Sequence, residues 1–175
     1  VQGHVAAITQ GLQARGSKSG SHGLALAITA VLQTTLEVNR LVELFGQEMR
    51  HSVEFDSMEY THPALAVRVQ LGESPRRHAC TYRLTLESLR LGEITFTRKN
   101  RFSDDELRLI EYLLCSVVYP LRNAIEFRNA LEQAQRDPLT GVYNRGTLDS
   151  LLHREVALAQ RHQQPFTVIF IDIDR

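Results

Sequence analysis

The hydrophobic spacing of this 175-residue chain changes period twice, and that change limits what the chain can fold into. From Leu24 the apolar positions fall at helical steps. Leu24, Ile28, Val31, Thr35, Val38, Val42, Phe45 and Met49 share one face over about seven turns. A break in this helix is expected near Thr34–Thr35. After His51 the period becomes two. Leu65, Val67, Val69 and Leu71 alternate with Ala66, Arg68 and Gln70, and the pattern recurs at Cys80, Tyr82, Leu84 and Leu86 and at Ile94 and Phe96. Turn signals at Thr61-His62-Pro63, at Gly72-Glu73-Ser74-Pro75 and from Ser88 to Gly92 separate these runs. Short connections between half-buried strands predict an antiparallel meander with one covered face.

The helical period returns at a sharp boundary. Ser103 and Glu106 have the spacing of a capping box, and Phe102 and Leu107 that of a hydrophobic staple. The acids Asp104, Asp105 and Glu106 suit the positive end of the helix dipole. The helix runs through Leu107, Ile110, Leu113, Leu114, Val117, Leu121 and Ile125 towards Gln135, with a kink expected at Pro120. Beyond Pro120 a narrow seam of Ala124, Phe127, Leu131 and Ala134 has the spacing of a short coiled coil. Asp137-Pro138 ends the helix, because a residue before proline is pushed out of the helical region. A loop to Gly146 leads into another helix carrying Leu148, Leu151, Leu152, Val156 and Ala159. The unalternated run Phe166 to Ile171 then predicts a central strand buried on both faces.

Composition removes several function classes. The 20 Lys+Arg balance the 20 Asp+Glu, so no excess positive charge is available for a nucleic-acid backbone. No apolar stretch approaches a membrane span. The chain begins at Val1 with no basic-then-apolar leader, and reads as an internal fragment of a cytoplasmic protein. Residues 1–23 open with a weak helical pattern at Val5, Ile8 and Leu12 and then pass into Gly16 to Gly23, which has flexible-loop composition. The two cysteines, Cys80 and Cys115, read as buried small hydrophobes and fit a reducing compartment. The seven histidines show no metal-ligand spacing. Arg76-Arg77-His78 and Arg98-Lys99-Asn100-Arg101 read as solvated basic loops, with an acidic partner as the sharper alternative.

Chemistry is concentrated at the C-terminal end. Asp172 follows the apolar run, at the strand edge where α/β folds place their sites. A carboxylate there suits a hard cation such as Mg²⁺, although the pattern equally allows an Asp that faces water. Asp137-Pro138-Leu139-Thr140-Gly141-Val142-Tyr143-Asn144-Arg145, with its spacing to Phe166–Asp174, resembles the opening of the GGDEF domain of diguanylate cyclases. Ala130 to Arg136 is similar to the signalling helix that precedes such domains. The resemblance implies that Asp172 binds metal, with the backbone carbonyl of Ile173 beside it, and that Mg²⁺ serves two GTP molecules held by two facing domains. Among the motif residues, Asp137 and Asn144 are expected to take up loop backbone donors and Arg145 to pair with a carboxylate. Gly141 and Gly146 are expected to serve turn geometry, and Leu139 and Thr140 to pack near the nucleotide. The family's signature loop, its second acid and its guanine contacts are expected downstream of Arg175, so this stretch alone is expected to be inactive.

Leu91 to Arg98, Phe102 to Leu107 and Val118 to Ala124 more loosely resemble the last strand and closing helix of GAF sensor domains. Ligand-binding members insert roof helices between their middle strands. Here only Gly72 to Arg77 separates Leu71 from His78, which argues against a small-molecule pocket.

The expected fold is therefore α+β. A GAF-like antiparallel sheet is flanked by N- and C-terminal helices, followed by a helical linker and a truncated α/β GGDEF segment. Residues 1–23 are a flexible segment, 24–120 the GAF-like regulatory domain, 121–136 the linker helix and 137–175 the start of the GGDEF domain. The expected role is the regulatory region of a homodimeric diguanylate cyclase. The alternative is a non-catalytic sensing or protein-interaction module.

Overall fold

The computed structural model describes residues 2–6, 18–73 and 77–172, with side chains described from Gly23 onward. The chain divides into two compact units, Val1–Arg128 and Asn129–Arg175.

The first unit opens with strand β1 (Gln2–Ala6) and helices α1 (Lys18–Leu32) and α2 (Val38–Met49). The break between the helices falls at the two threonines. Thr34 Oγ1 donates to the Val31 carbonyl at 2.7 Å, and Thr35 Oγ1 accepts from the Glu37 amide at 3.1 Å. Both hydroxyls offer the backbone partners outside the helical ladder, which is how such residues end helices. On α2 the apolar face of Val38, Leu41, Val42, Phe45 and Met49 is buried, together with Ile28 and Leu32 of α1. Within the segment expected to be flexible, residues 2–6 form the paired strand β1, and residues 18–23 belong to α1, which starts six residues before Leu24. Loop-like composition measures local propensity, and the exposed edge of a neighbouring strand outweighs it by supplying backbone partners. Residues 7–17 lie outside the described part.

Strands β2 (Ser57–His62), β3 (Val67–Gly72), β4 (His78–Leu86) and β5 (Leu89–Arg98) complete the sheet in the order β1-β4-β5-β2-β3. β1 runs parallel to β4, and all other pairs are antiparallel. This corrects the simple meander. Instead of β3 leading sideways into β4, the hairpin β4–β5 folds back so that β5 pairs with β2, with Met58 opposite Phe96 and Tyr60 opposite Ile94. The pairing buries both hairpins' apolar faces on one side, as the period-two pattern requires. Met58, Tyr60, Cys80, Tyr82, Leu84, Ile94 and Phe96 all face the core. The opposite face carries Glu59, Arg68, Arg83 and Glu93, joined in exposed ion pairs that contribute little.

β5 approaches β2 closely at Gly92, next to the register shift at Leu84/Thr85. Gly92 has φ +104°, and a Cβ there would lie 2.6 Å from the Thr61 carbonyl oxygen and 2.8 Å from the Tyr60 ring. The same approach lets the Tyr60 hydroxyl donate to the Leu91 carbonyl at 2.6 Å. Gly92→Ala is expected to destabilise the first unit by about 2 kcal/mol, read from urea unfolding. An unchanged midpoint would show that β5 can move away from Tyr60 without cost.

Helix α3 (Asp104–Ala134) closes the sheet and runs without interruption through Pro120. Its start is the predicted capping box: the Ser103 amide donates to Glu106 Oε2 at 2.8 Å, and the Glu106 amide donates to Ser103 Oγ at 3.3 Å. Ile110, Leu113, Leu114, Val117, Val118 and Leu121 join the core. Two expectations change here. Cys115 is exposed rather than buried, because it lies on the helix face away from Leu114 and Val117. Arg98 is not in a solvated loop; it ends β5 and is only 8% exposed. Cys80 is buried as expected, and burial pushes its thiol up to about 11, so it is not a reactive thiolate.

Candidate functional site

The second unit begins in the last turns of α3 and contains a tightly bonded loop and helix α4 (Arg145–His162). Asp137 organises the loop. Its Oδ1 accepts from the Leu139 amide at 3.1 Å, the Thr140 amide at 2.9 Å and the Thr140 hydroxyl at 2.8 Å. These donors, the Thr140 amide foremost, hold the Asp137 carboxyl below its ordinary range. Backbone bonds close the turn, with the Gly141 amide on the Asp137 carbonyl at 2.9 Å and the Asp137 amide on the Val142 carbonyl at 2.8 Å. Gly141 takes φ +72°, which favours glycine. Arg136 donates to the Gly141 carbonyl at 2.7 Å and lies over the Tyr143 ring.

Asn144 ties two helix ends together. Its Oδ1 accepts from the Thr147 amide at 3.0 Å as the N-cap of α4, while its Nδ2 donates to the Ala134 carbonyl at 2.7 Å at the end of α3. The motif thus sets the path from one helix to the next. Asp137 and Asn144 thus both accept from backbone amides of the motif, and Gly141 sits at the positive-φ turn. Gly146 lies inside the first turn of α4 instead of in the loop. Arg145 forms no ion pair with a described residue, and Leu139 projects into solvent at 92% exposure.

The segment Phe166 to Ile171 corrects a further expectation, for it is not a strand. Ile169, Phe170 and Ile171 are exposed, and no described strand lies beside them to complete a ladder. An apolar run becomes a central strand only where neighbours satisfy its backbone. Asp172 follows in the same exposed stretch, and Ile173 lies outside the described residues. Among the described residues no group of three or more His, Cys, Asp or Glu side chains converges as a metal site. Asp172 is a single hard-oxygen donor, and Mg²⁺ is commonly held by one or two carboxylates together with water and substrate phosphates.

The coiled-coil seam is also altered. Ala124 is fully buried in the first unit's own core, whereas Phe127 and Leu131 are about half exposed. A straight helix drifts from a strict heptad, so the residue that begins the seam turns towards the sheet. The apolar faces of α2 and of α3 up to Leu121 are likewise taken up by the sheet.

Gln135, Tyr143, Asn144, Thr147, Ser150 and Arg154 border an open concavity of about 650 Å³ beside the loop. The sequence reading passed over Thr147, Ser150 and Arg154, although their steps of three and four place them on one face of α4.

Residues 134–175 match the family model described as Diguanylate cyclase, GGDEF domain. The match spans the Asp137–Asn144 loop, α4 and the apolar segment that ends at Asp172. This region is therefore related to the GGDEF domains of diguanylate cyclases. No curated protein and no solved structure matches the chain. Among the described residues no helix is long and apolar enough to cross a membrane.

Proposed function

We propose that this chain is the regulatory and dimerisation region, together with the opening of the catalytic domain, of a cytoplasmic diguanylate cyclase. The observation that carries the reading is the GGDEF match at 134–175, in a region whose Asp137 and Asn144 fix the path from α3 to α4. In the proposed reaction two GTP molecules form cyclic di-GMP. Each 3′-hydroxyl attacks the other's α-phosphorus, and two diphosphates leave. Two domains must then face each other, so association supplies positioning as well as stability. We assign the first unit as a GAF-like regulatory domain. That assignment is supported by its order of helices, antiparallel strands and closing helix.

Mg²⁺ is the proposed cofactor, and when bound it would relieve the charge of the reacting phosphates. Asp172 and the Ile173 carbonyl are proposed to be among its ligands. The proposed assembly is a homodimer in which the exposed Phe127 and Leu131 of α3 pair with their counterparts. GTP is the proposed substrate, and no nucleic-acid partner is invoked.

The full-length protein incubated with GTP and Mg²⁺ is expected to yield cyclic di-GMP, separated by chromatography, and to scatter light as a dimer. GTP binding without product would overturn the cyclase reading in favour of the non-catalytic sensing module.

A further inference from the structure

A cavity of about 300 Å³ lies in the first unit, where the start of β4 meets the first turn of α3. Its apolar lining is Ala79, Cys80, Phe102 and Leu107, and its polar lining is His78, Arg101 and Asp104. Several charged groups around this corner are engaged elsewhere, and Arg108 also lies within electrostatic reach of Asp104. Arg98 and Glu106 bond each other at 2.7 Å, Asp105 holds Arg108 at 2.6 Å, and Asp56 accepts from the Lys99 amide. The side chains of Arg101, Asp104 and His78 make no hydrogen bond or ion pair with a described residue. Opposite charges three residues apart thus border one small hollow of mixed polar and apolar lining without pairing with each other.

We propose that this cavity binds a small zwitterion of the aliphatic α-amino-acid class. Arg101 would take the carboxylate, Asp104 the ammonium group, and Cys80, Phe102 and Leu107 the aliphatic side chain. The volume sits at the lower end for small-molecule sites, which suits an amino acid and excludes a cyclic dinucleotide. Two charges of opposite sign also select against singly charged molecules, which leave one of them without a partner. The site adjoins the start of α3. The Phe102 ring lies 4.2 Å beneath the Arg98 guanidinium, and Arg98 in turn holds Glu106. This gives the regulatory reading of the first unit an input. Binding is measured directly, so the proposal fails or survives separately from cyclase activity.

The test is calorimetric titration of the full chain with leucine, valine and methionine. Two analogues of leucine each lack one charge, 4-methylpentanoate and 3-methylbutylamine. Leucine is expected to bind one site per chain, with each analogue weaker by at least about tenfold. Arg101→Gln and Asp104→Asn, both at exposed positions, are expected to keep a single cooperative melting transition and to weaken leucine by a similar factor. No heat from any of the three amino acids would overturn the proposal. So would an analogue that matches leucine, or an Arg101→Gln variant that binds like the parent.

Discussion

Arg98→Met is expected to destabilise the first unit by about 3 kcal/mol, a fall in melting midpoint on the order of 10 °C. The Arg98 guanidinium is nearly buried and fully bonded. Nε donates to the Asn100 carbonyl, Nη1 to the Glu54 carbonyl and Glu106 Oε1, and Nη2 to the Arg101 carbonyl and Glu106 Oε2. One side chain therefore fastens the end of β5 to the loop before β2 and to the first turn of α3. Methionine keeps the packing over Phe102 but leaves three carbonyls and a carboxylate without their donor. The cost of such a change lies mainly in the stranded partners. Glu106 is about one-third exposed, and water reaching its carboxylate offsets part of the loss.

The same pair fixes a pH dependence. The Arg98 hydrogen bonds, and then those from Ser103, lower the Glu106 carboxyl from 4.5 to about 2. A carboxyl depressed in the folded state contributes stability that is fully present above its unfolded value. That contribution is lost as pH falls from about 4.5 towards about 2. Glu106→Gln should flatten this part of the stability–pH curve. An Arg98→Met variant that melts with the parent at pH 7 would show the clamp to be incidental.

Half of this clamp was legible in the sequence. Ser103 and Glu106 announce a helix start because a capping box is local, with both partners within one turn. Arg98 sits in a run of basic residues that reads as solvent-facing, and its carbonyl partner Glu54 is 44 residues away. Nothing in local spacing encodes that meeting. Strand β2 was missed for a related reason. Met58 and Tyr60 alternate with Glu59 and Thr61, but the run is short, and its role as the partner of β5 emerges only when two hairpins share a core. The loop at 137–144 is mixed in the same way: Asp137 accepts from amides two and three positions on, which local spacing encodes, whereas the Asn144 bond to the Ala134 carbonyl reaches back ten positions. Phe166 to Ile171 shows the opposite case. Its apolar content was plain, but a strand is a property of a pair, and the described residues hold no second member.

On the proposed reading, Asp172→Ala in the full-length protein should lower cyclic di-GMP formation by at least about a hundredfold. Folding should be unaffected, because Asp172 is exposed, outside any helix or strand, and preceded by the 88%-exposed Ile171. The melting midpoint and the light-scattering mass are therefore expected to match the parent. Asp172→Asn separates charge from shape. An amide oxygen is a weaker donor to a hard cation than a carboxylate, so this variant should lie close to the alanine variant in rate. A control on α4, Asp149→Ala, changes an exposed carboxylate of the same region and should retain parental turnover. If Asp172→Ala keeps most of its product formation, Asp172 is not a ligand and the metal assignment falls. If it loses product and the dimer together, the residue acts through assembly, and the metal role is again refuted. Loss of turnover with mass, midpoint and GTP binding preserved is the one outcome that places Asp172 at the reacting phosphates.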